Sequence, residues 1–186
     1  MLDLDFNPFP IIETERMLLR KLEFGDAPDL HLLRSDETVM QYIGRPRSTC
    51  IEDMHELIEK IHSDTAESSG ISWGIQLKDS TQIIGCIGLY RIQKEHYRAE
   101  VGYILSPQMW GQGLMTEALV AVLRQSFQQF GFNSIEADTD PENSSSNRML
   151  ERNGFRLEGQ FKDKFYFEGK FYDANIYSIL ASEFNK

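Results

Sequence analysis

The stretch Trp110-Gly111-Gln112-Gly113-Leu114-Met115-Thr116-Glu117-Ala118 decides the fold of this chain, because in it a glycine-rich loop passes into a helix. Before it, residues 97–105 (YRAEVGYIL) are typical of a strand, which Ser106-Pro107 ends. After Gly113 apolar residues recur at helical spacing, and Gly131 is a stop signal. The apolar face of the predicted helix consists of Leu114, Met115, Ala118, Leu119, Val122, Leu123, Phe127 and Phe130.

This loop has the properties of a pyrophosphate-binding site. The first amides of a helix have no partner within the helix, and the helix dipole adds partial positive charge there. Glycines let a phosphate approach the backbone closely. We expect the amides from Gln112 to Thr116 to be the donors. The predicted cofactor-binding residues of the loop are Gly111, Gln112, Gly113, Leu114, Met115 and Thr116.

Other interpretations of the loop are open. A glycine-rich turn can exist without a ligand. A dinucleotide-binding loop, and with it an oxidoreductase, is disfavoured because the pattern GxGxxT lacks the third glycine and follows antiparallel-looking strands. Glu136 lies near the spacing of a ribose-binding acid, but within a predicted strand. A Walker loop is excluded, since no Gly-Lys-Ser/Thr follows.

The composition predicts one globular, acidic domain over residues 1–186. Apolar residues make up 41% of the chain, and the formal net charge is -10. An acidic surface repels phosphate backbones, so we expect no nucleic-acid partner, whereas amines or basic peptides are compatible. The N-terminus lacks the pattern of a signal peptide, and no apolar run approaches the ~20 residues of a membrane span. We therefore expect a cytoplasmic protein without a membrane partner.

Cysteine and histidine spacing predicts no metal site. Cys50 and Cys86 form no CxxC pair, and the four histidines show no ligand spacing. Cys86 could suggest a nucleophile that forms a covalent enzyme intermediate. It lies in an apolar run without a neighbouring histidine, which favours core packing.

The remaining patterns predict an α+β fold. Helices are predicted from Asp26 to about Ser35, after a cap at Ser48 or Thr49, and over residues 143–153. The other predicted strands are residues 16–22, 71–78, 82–91, 134–139, 155–161 and 171–180. Residues 79–81 make the first of two expected hairpins, and Glu168-Gly169 makes the second. This mixture indicates a mostly antiparallel sheet with flanking helices.

With these elements in place, the chain resembles the GNAT acetyltransferase superfamily, and most of all its RimJ/RimL-like, ribosomal-protein N-alpha-acetyltransferase branch. The resemblance runs from about Thr14 to Leu180. Its blocks are residues 14–20 (TERMLLR) with Asp26-Ala27, residues 99–103 (AEVGY), residues 110–118, and residues 143–146 (NSSS) with Leu150-Glu151 and Gly154-Phe155. The loop departs from the superfamily pattern at Trp110 and Met115.

The resemblance implies a GNAT fold in which the strand from Glu100 to Leu105 splays from Ser134–Thr139. The pantetheine arm of acetyl-CoA is then expected in the gap, bonded to the backbone of Val101, Gly102 and Tyr103, with Asn143 helping to hold it. Acetyl-CoA is the expected co-substrate.

An amine must lose a proton before it attacks a thioester, so a general base is expected. The resemblance implies Glu100 for this role, because it lies on the strand that the family uses for this purpose. The alternative is a carboxylate of the sheet face that pairs with Arg91 or Arg98. A strand amide near Val101-Gly102 is the expected oxyanion donor.

Ser146 is the candidate hydrogen-bond donor to the leaving thiolate, because Leu150 stands where many superfamily members carry a tyrosine. Its alternative role is that of a helix cap. Tyr166, in the C-terminal hairpin, is a further catalytic candidate. Phe165 occupies the position where some relatives carry a carboxylate, which departs from the ribosomal-protein branch.

The sequence thus predicts transfer of an acetyl group from acetyl-CoA to a primary amine, of a protein N-terminus or a small molecule. Tyr42, Phe165 and Phe167 are expected in the acceptor pocket wall. A non-catalytic acyl-CoA-binding sensor is the alternative. The expected assembly is a monomer or a homodimer.

Overall fold

A computed structural model of the chain describes residues 1–185, and every predicted strand and helix is present in the predicted order, together with two short elements that were not predicted. The strands are β1 (Ile12–Glu13), β2 (Met17–Lys21), β3 (Ile71–Leu77), β4 (Ile83–Gln93), β5 (Arg98–Leu105), β6 (Ser134–Thr139), β7 (Arg156–Phe167) and β8 (Lys170–Leu180). The helices are α1 (Ala27–Ser35), α2 (Glu37–Met40), α3 (Glu52–Ala66), α4 (Leu114–Gln128) and α5 (Ser144–Arg152).

Within residues 1–185, eight strands form one sheet in the order β1-β2-β3-β4-β5-β6-β8-β7. Neighbouring strands are antiparallel except β5 and β6, which are parallel. The predicted α+β class with a mostly antiparallel mixed sheet is confirmed. Both predicted hairpins are present as β3–β4 and β7–β8.

Helices cover both faces of the sheet, because its strands are apolar on both sides. On one face α4 packs through Ala118, Leu119 and Val122 against residues such as Trp73 and Ile87. On the other face α1 and α3 form a second core. That core includes Leu22, Leu30, Leu33, Met54, Ile58, Ile83, Cys86 and Ile104. No helix within residues 1–185 is long and apolar enough to cross a membrane.

The sheet opens between β5 and β6. These strands pair only from Arg98↔Ser134 to Glu100↔Glu136. Beyond that point β5 stays with β4 as far as Leu105↔Gly85, while β6 stays with β8 as far as Thr139↔Asn175. We call the space between residues 101–105 and residues 137–139 the β5–β6 gap. Its presence confirms the predicted splayed strand pair.

One predicted helix cap is wrong, and a second holds only in its position. Ser48 and Thr49 do not cap α3, which is preceded by Ile51. Instead the Asp53 carboxylate accepts hydrogen bonds from the backbone amide and the hydroxyl of Thr49. Asp26 does precede α1, but its side chain makes no bond to that helix. The carboxylate is engaged by Arg20 and by the Glu23 amide.

The lengths of some elements also differ from the sequence patterns. β7 continues beyond the predicted residue 161 to Phe167, because pairing with β8 sustains an exposed strand that its own polar residues do not indicate. The short elements β1 and α2 were not predicted, since two and four residues show no periodicity.

Replacing Asp26 with Asn is expected to lower the free energy of unfolding by about 3 kcal/mol, because it breaks a mostly buried bidentate ion pair and removes the carboxylate that compensates the Arg20 charge. Two Arg20 nitrogens lie 2.8 Å from the two Asp26 oxygens. Urea denaturation followed by circular dichroism measures the change. Glu13→Gln, in the exposed pair with Lys78, is the control and should leave stability unchanged. Equal midpoints for the two variants would contradict the prediction.

Candidate functional site

The glycine loop, Gly111–Gly113, presents unpaired amides at the start of α4. Gly111 and Gly113 have φ angles of 73° and 75°, in the left-handed region that glycine adopts without strain. Glu117 donates the first backbone hydrogen bond of the helix, to Gly113. Among the described residues, no acceptor takes the amides from Gln112 to Thr116. The predicted donor set is therefore free to bind an anion.

Arg16 fixes the glycine loop from the start of β2. Its Nε lies 2.7 Å from Glu117 Oε2, and its Nη1 donates to the Gln112 carbonyl at 2.9 Å. The Arg16 backbone amide also donates to Glu117. In the sequence, Arg16 is only part of a block that resembles the family, and nothing near it indicates a role. Its partners are about a hundred residues away, so no local pattern could indicate the contact.

Tyr103 and Ser146 face each other across the β5–β6 gap. The phenol oxygen of Tyr103 lies 2.6 Å from the Ser146 hydroxyl. Burial raises the pKa of Tyr103 to about 12, so this phenol remains protonated and can donate a hydrogen bond. Only a backbone contact was expected of Tyr103, so this pair of hydroxyl groups was not predicted.

Asn143 caps α5 and thereby places Ser146. The Asn143 Oδ1 atom accepts a hydrogen bond from the Ser146 amide. The capping role considered for the serine therefore belongs to Asn143, and the Ser146 hydroxyl is left for Tyr103. The helix is further attached to the end of β6, because the Thr139 hydroxyl donates to Asn147 at 2.6 Å.

Glu100 lies at the branch point of the gap and is ion-paired. Its Oε2 is 2.6 Å from Nη1 of Arg91, which is one of the two arginines that the sequence suggested as its partner. Arg98 pairs instead with Glu136. Burial, followed by the nearby charge of Asp138, raises the pKa of Glu100 above its ordinary value of 4.5, and the Arg91 charge opposes this.

A cavity of ≈ 920 Å³ adjoins the gap on the α1–α3 face. It brings together most of the predicted catalytic and cofactor residues outside the glycine loop. These are Glu100, Val101, Gly102, Tyr103, Asn143 and Ser146. The predicted aromatic wall residues Tyr42, Phe165 and Phe167 also line it. Gly111–Thr116 lie outside this cavity, at the start of the helix that covers the opposite face.

The structure does not bring Tyr166 to the cavity. Side chains alternate along β7, so Phe165 and Phe167 line the cavity while Tyr166 projects from the other face. Tyr166 is 66% exposed and packs on Phe171 with ring centroids 4.9 Å apart. As a catalytic candidate it lacks contact with the other site residues.

Cys86 has the environment of a core residue. It is buried, and burial raises the pKa of its thiol to about 12, which disfavours the nucleophilic thiolate. Within residues 1–185, no group of His, Cys, Asp or Glu side chains is arranged to hold a metal ion.

The family profile and the similar proteins that match this chain are described as acetyltransferases. A sequence profile described as an acetyltransferase (GNAT) domain matches residues 16–156. The uncharacterized N-acetyltransferase YoaA of Bacillus subtilis (strain 168) is 35% identical over 172 residues, which are 92% of this chain and 97% of that protein.

Two further proteins differ in the acceptor that their names state. The spermidine N(1)-acetyltransferase of Vibrio cholerae serotype O1 is 27% identical, and the match covers 92% of this chain and 96% of that protein. The solved structure of RimL, a ribosomal L7/L12 alpha-N-protein acetyltransferase in complex with coenzyme A, has a TM-score of 0.84 and 23% identity. That match covers 92% of this chain and 98% of RimL, and it shows a shared fold.

Iodoacetamide is expected to alkylate Cys50 and to spare Cys86 in the folded protein, because Cys50 is exposed and the buried thiol of Cys86 does not ionise near neutral pH. Peptide mass spectrometry locates the label, and a sample unfolded in urea is the control in which both cysteines react. Rapid native labelling of Cys86 would restore the interpretation of Cys86 as a covalent nucleophile.

Proposed function

Because the chain belongs to the GNAT acetyltransferase family and is an acetyl-CoA-dependent N-acetyltransferase, we propose that it acetylates a primary amine by direct attack within a ternary complex. The observation that carries the proposal is the β5–β6 gap with Glu100 at its branch point. The cavity adjoins the gap on one face of the sheet, and the unpaired amides of α4 start on the other. Donor and acceptor can therefore approach the same point from opposite faces.

The donor is bound, in this proposal, by backbone groups. Acetyl-CoA supplies a thioester-activated acetyl group. The amides from Gln112 to Thr116 bind its pyrophosphate, and the positive end of the α4 dipole stabilises that charge. The backbone of Val101 to Tyr103 binds the pantetheine arm, since β5 has no strand partner there on the β6 side within residues 1–185. The Asn143 amide group, whose oxygen alone is used by the α5 cap, adds a donor.

Glu100 acts as the general base, directly or through a water. Aliphatic amines have pKa values of about 8–10.4 and are mostly protonated at neutral pH. The raised pKa of Glu100 makes it a stronger proton acceptor than an ordinary glutamate. The ammonium form of the amine gives one proton to Glu100, and the neutral nitrogen then bonds to the acetyl carbon. As the carbon–sulfur bond breaks, the second proton of the nitrogen passes to the leaving sulfur, so that coenzyme A leaves as the thiol.

The developing charges are stabilised by two groups of donors. An amide near Val101-Gly102 binds the oxyanion of the tetrahedral intermediate. The Ser146 hydroxyl donates to the leaving sulfur, and the Tyr103 phenol 2.6 Å away donates to Ser146 in turn. Tyr103 thus supplies from β5 the phenol that α5 lacks at Leu150.

The acceptor is a protein N-terminus or a small-molecule amine. Both kinds are represented among the similar proteins, by the ribosomal protein named for RimL and by the spermidine named for the Vibrio relative. The aromatic side chains of Tyr42, Phe165 and Phe167 offer ring faces to an alkyl chain or a cation in either. The three similar proteins described above are named as acetyltransferases, so these comparisons do not support a non-catalytic sensor.

Coenzyme A release in the presence of acetyl-CoA tests the proposal. The panel consists of spermidine, other alkylamines and short peptides with free α-amines, and a thiol reagent follows the product. We expect turnover with at least one class of amine, together with acetylated product in mass spectra. Binding of acetyl-CoA without turnover of any amine would contradict the proposal.

Replacing Glu100 with Gln is expected to lower kcat by about 10²–10⁴-fold, because the amide cannot accept the proton. In the unchanged enzyme kcat/KM should fall as the pH drops through the pKa of Glu100, since only the ionised form is a base. Because that pKa is raised, the fall should lie above 4.5. The variant should lose this limb of the pH profile.

Glu136→Gln is the matched control for this prediction. Glu136 is the register partner of Glu100 on β6, and it pairs with Arg98 outside the residues that line the cavity. The Glu136→Gln variant should keep both the kcat of the unchanged enzyme and the fall of kcat/KM at low pH. If kcat/KM of the Glu100→Gln variant still falls at low pH, the general base is a group other than Glu100.

A further inference from the structure

Arg91 reaches the cavity only because β4 contains a bulge. Tyr90 pairs with Glu100, but the next pairing joins Gln93 to Arg98, so β4 has one residue more than β5 in this interval. Arg91 itself has a φ of 48°, in the left-handed region that a residue with a Cβ seldom adopts. Regular alternation would direct Arg91 to the face opposite Tyr90 and Glu100. The bulge redirects the side chain toward Glu100.

The guanidinium then compensates two carboxylates of the cavity wall with a single nitrogen. Arg91 Nη1 lies 2.6 Å from Glu100 and 3.4 Å from Asp138. The two carboxylates are mostly buried, with 21% and 11% of their side chains exposed, whereas the arginine side chain is 58% exposed. The anions are therefore fixed, and the cation between them is the component that can move into solvent.

A second internal cation shares Asp138 from the other side. Lys164 Nζ lies 2.7 Å from Asp138 and is positioned over the rings of Phe161 and Phe165 at 5.3 and 5.5 Å. The pair of carboxylates therefore already has cationic partners in the absence of a substrate. The Arg91 charge opposes the raised pKa of Glu100, so Glu100 is a weaker proton acceptor while the guanidinium is bonded to it than when the guanidinium has moved away.

We propose that Arg91 is a specificity-determining residue that occupies the position of the acceptor's ammonium group beside Glu100 and Asp138, and that the acceptor displaces it. This inference rests on the proposed function. One cation replaces another, so the two carboxylates stay compensated throughout binding. A neutral amine cannot make this exchange, which selects alkylamines that arrive as ammonium ions.

Arg91→Met tests the exchange, because it removes the competing cation and keeps an unbranched side chain. The KM for spermidine, and its Kd for the coenzyme-A-loaded protein by calorimetry, should fall by about two- to fivefold, the range of a partly exposed ion pair. The KM for acetyl-CoA should stay unchanged. Arg91→Lys should restore values near those of the unchanged protein.

Arg98→Met is the matched control, since Arg98 makes the neighbouring ion pair with Glu136 outside the cavity lining. It should leave both constants for spermidine unchanged, and melting temperatures verify that each variant is folded. Higher KM and Kd for spermidine in Arg91→Met, or values equal to those of Arg98→Met, would overturn the proposal. If the unchanged enzyme turns over no amine, the proposed function fails, and the calorimetric comparison still decides whether Arg91 competes with the polyamine.

Discussion

The site depends on the early end of one parallel strand pairing. β5 and β6 share three register positions and then follow different partners, β4 on one side and β8 on the other. Backbone groups inside a sheet are normally paired, so a gap between two central strands persists only where something else satisfies or separates them. Here α5 is attached to the end of β6 through Thr139 and Asn147, and the Tyr103–Ser146 contact crosses the gap. The catalytic candidates are thus the residues that border this opening.

The charges along β5 differ with their distance from the gap. Arg98 and Glu136 form a pair on the closed part of the sheet, where both strands are continuous. Two residues further along β5, Glu100 borders the β5–β6 gap, and its partner Arg91 comes from the bulge in β4. The Arg98–Glu136 pair is therefore structural, whereas the Arg91–Glu100 pair is exchangeable, because only the second pair borders a cavity. Burial beside Asp138 gives Glu100 the raised pKa that suits a base.

Local sequence patterns predicted those structural features that depend only on residues close together in the sequence. The glycines before α4, the apolar face of that helix and the bounds of β6 all follow from short-range periodicity and turn chemistry. Resemblance to a family supplied the splayed strands and the roles expected of Glu100, Ser146 and Asn143. Contacts between distant segments could not be read in this way. Arg16 on the glycine loop, Tyr103 opposite Ser146 and Asp138 beside Arg91 depend on the register of the assembled sheet. Tyr166 points away from the cavity because one residue of alternation along a strand reverses the direction of a side chain.

Amide hydrogen exchange with and without coenzyme A tests most directly whether the donor occupies the opening. The amides from Gln112 to Thr116 have no acceptor within the described chain, so they should exchange fast in the free protein. Coenzyme A should slow their exchange and that of Val101 to Tyr103, while β3 on the far side of β4 should show no change. Protection confined to other segments, with these two unaffected, would contradict the account.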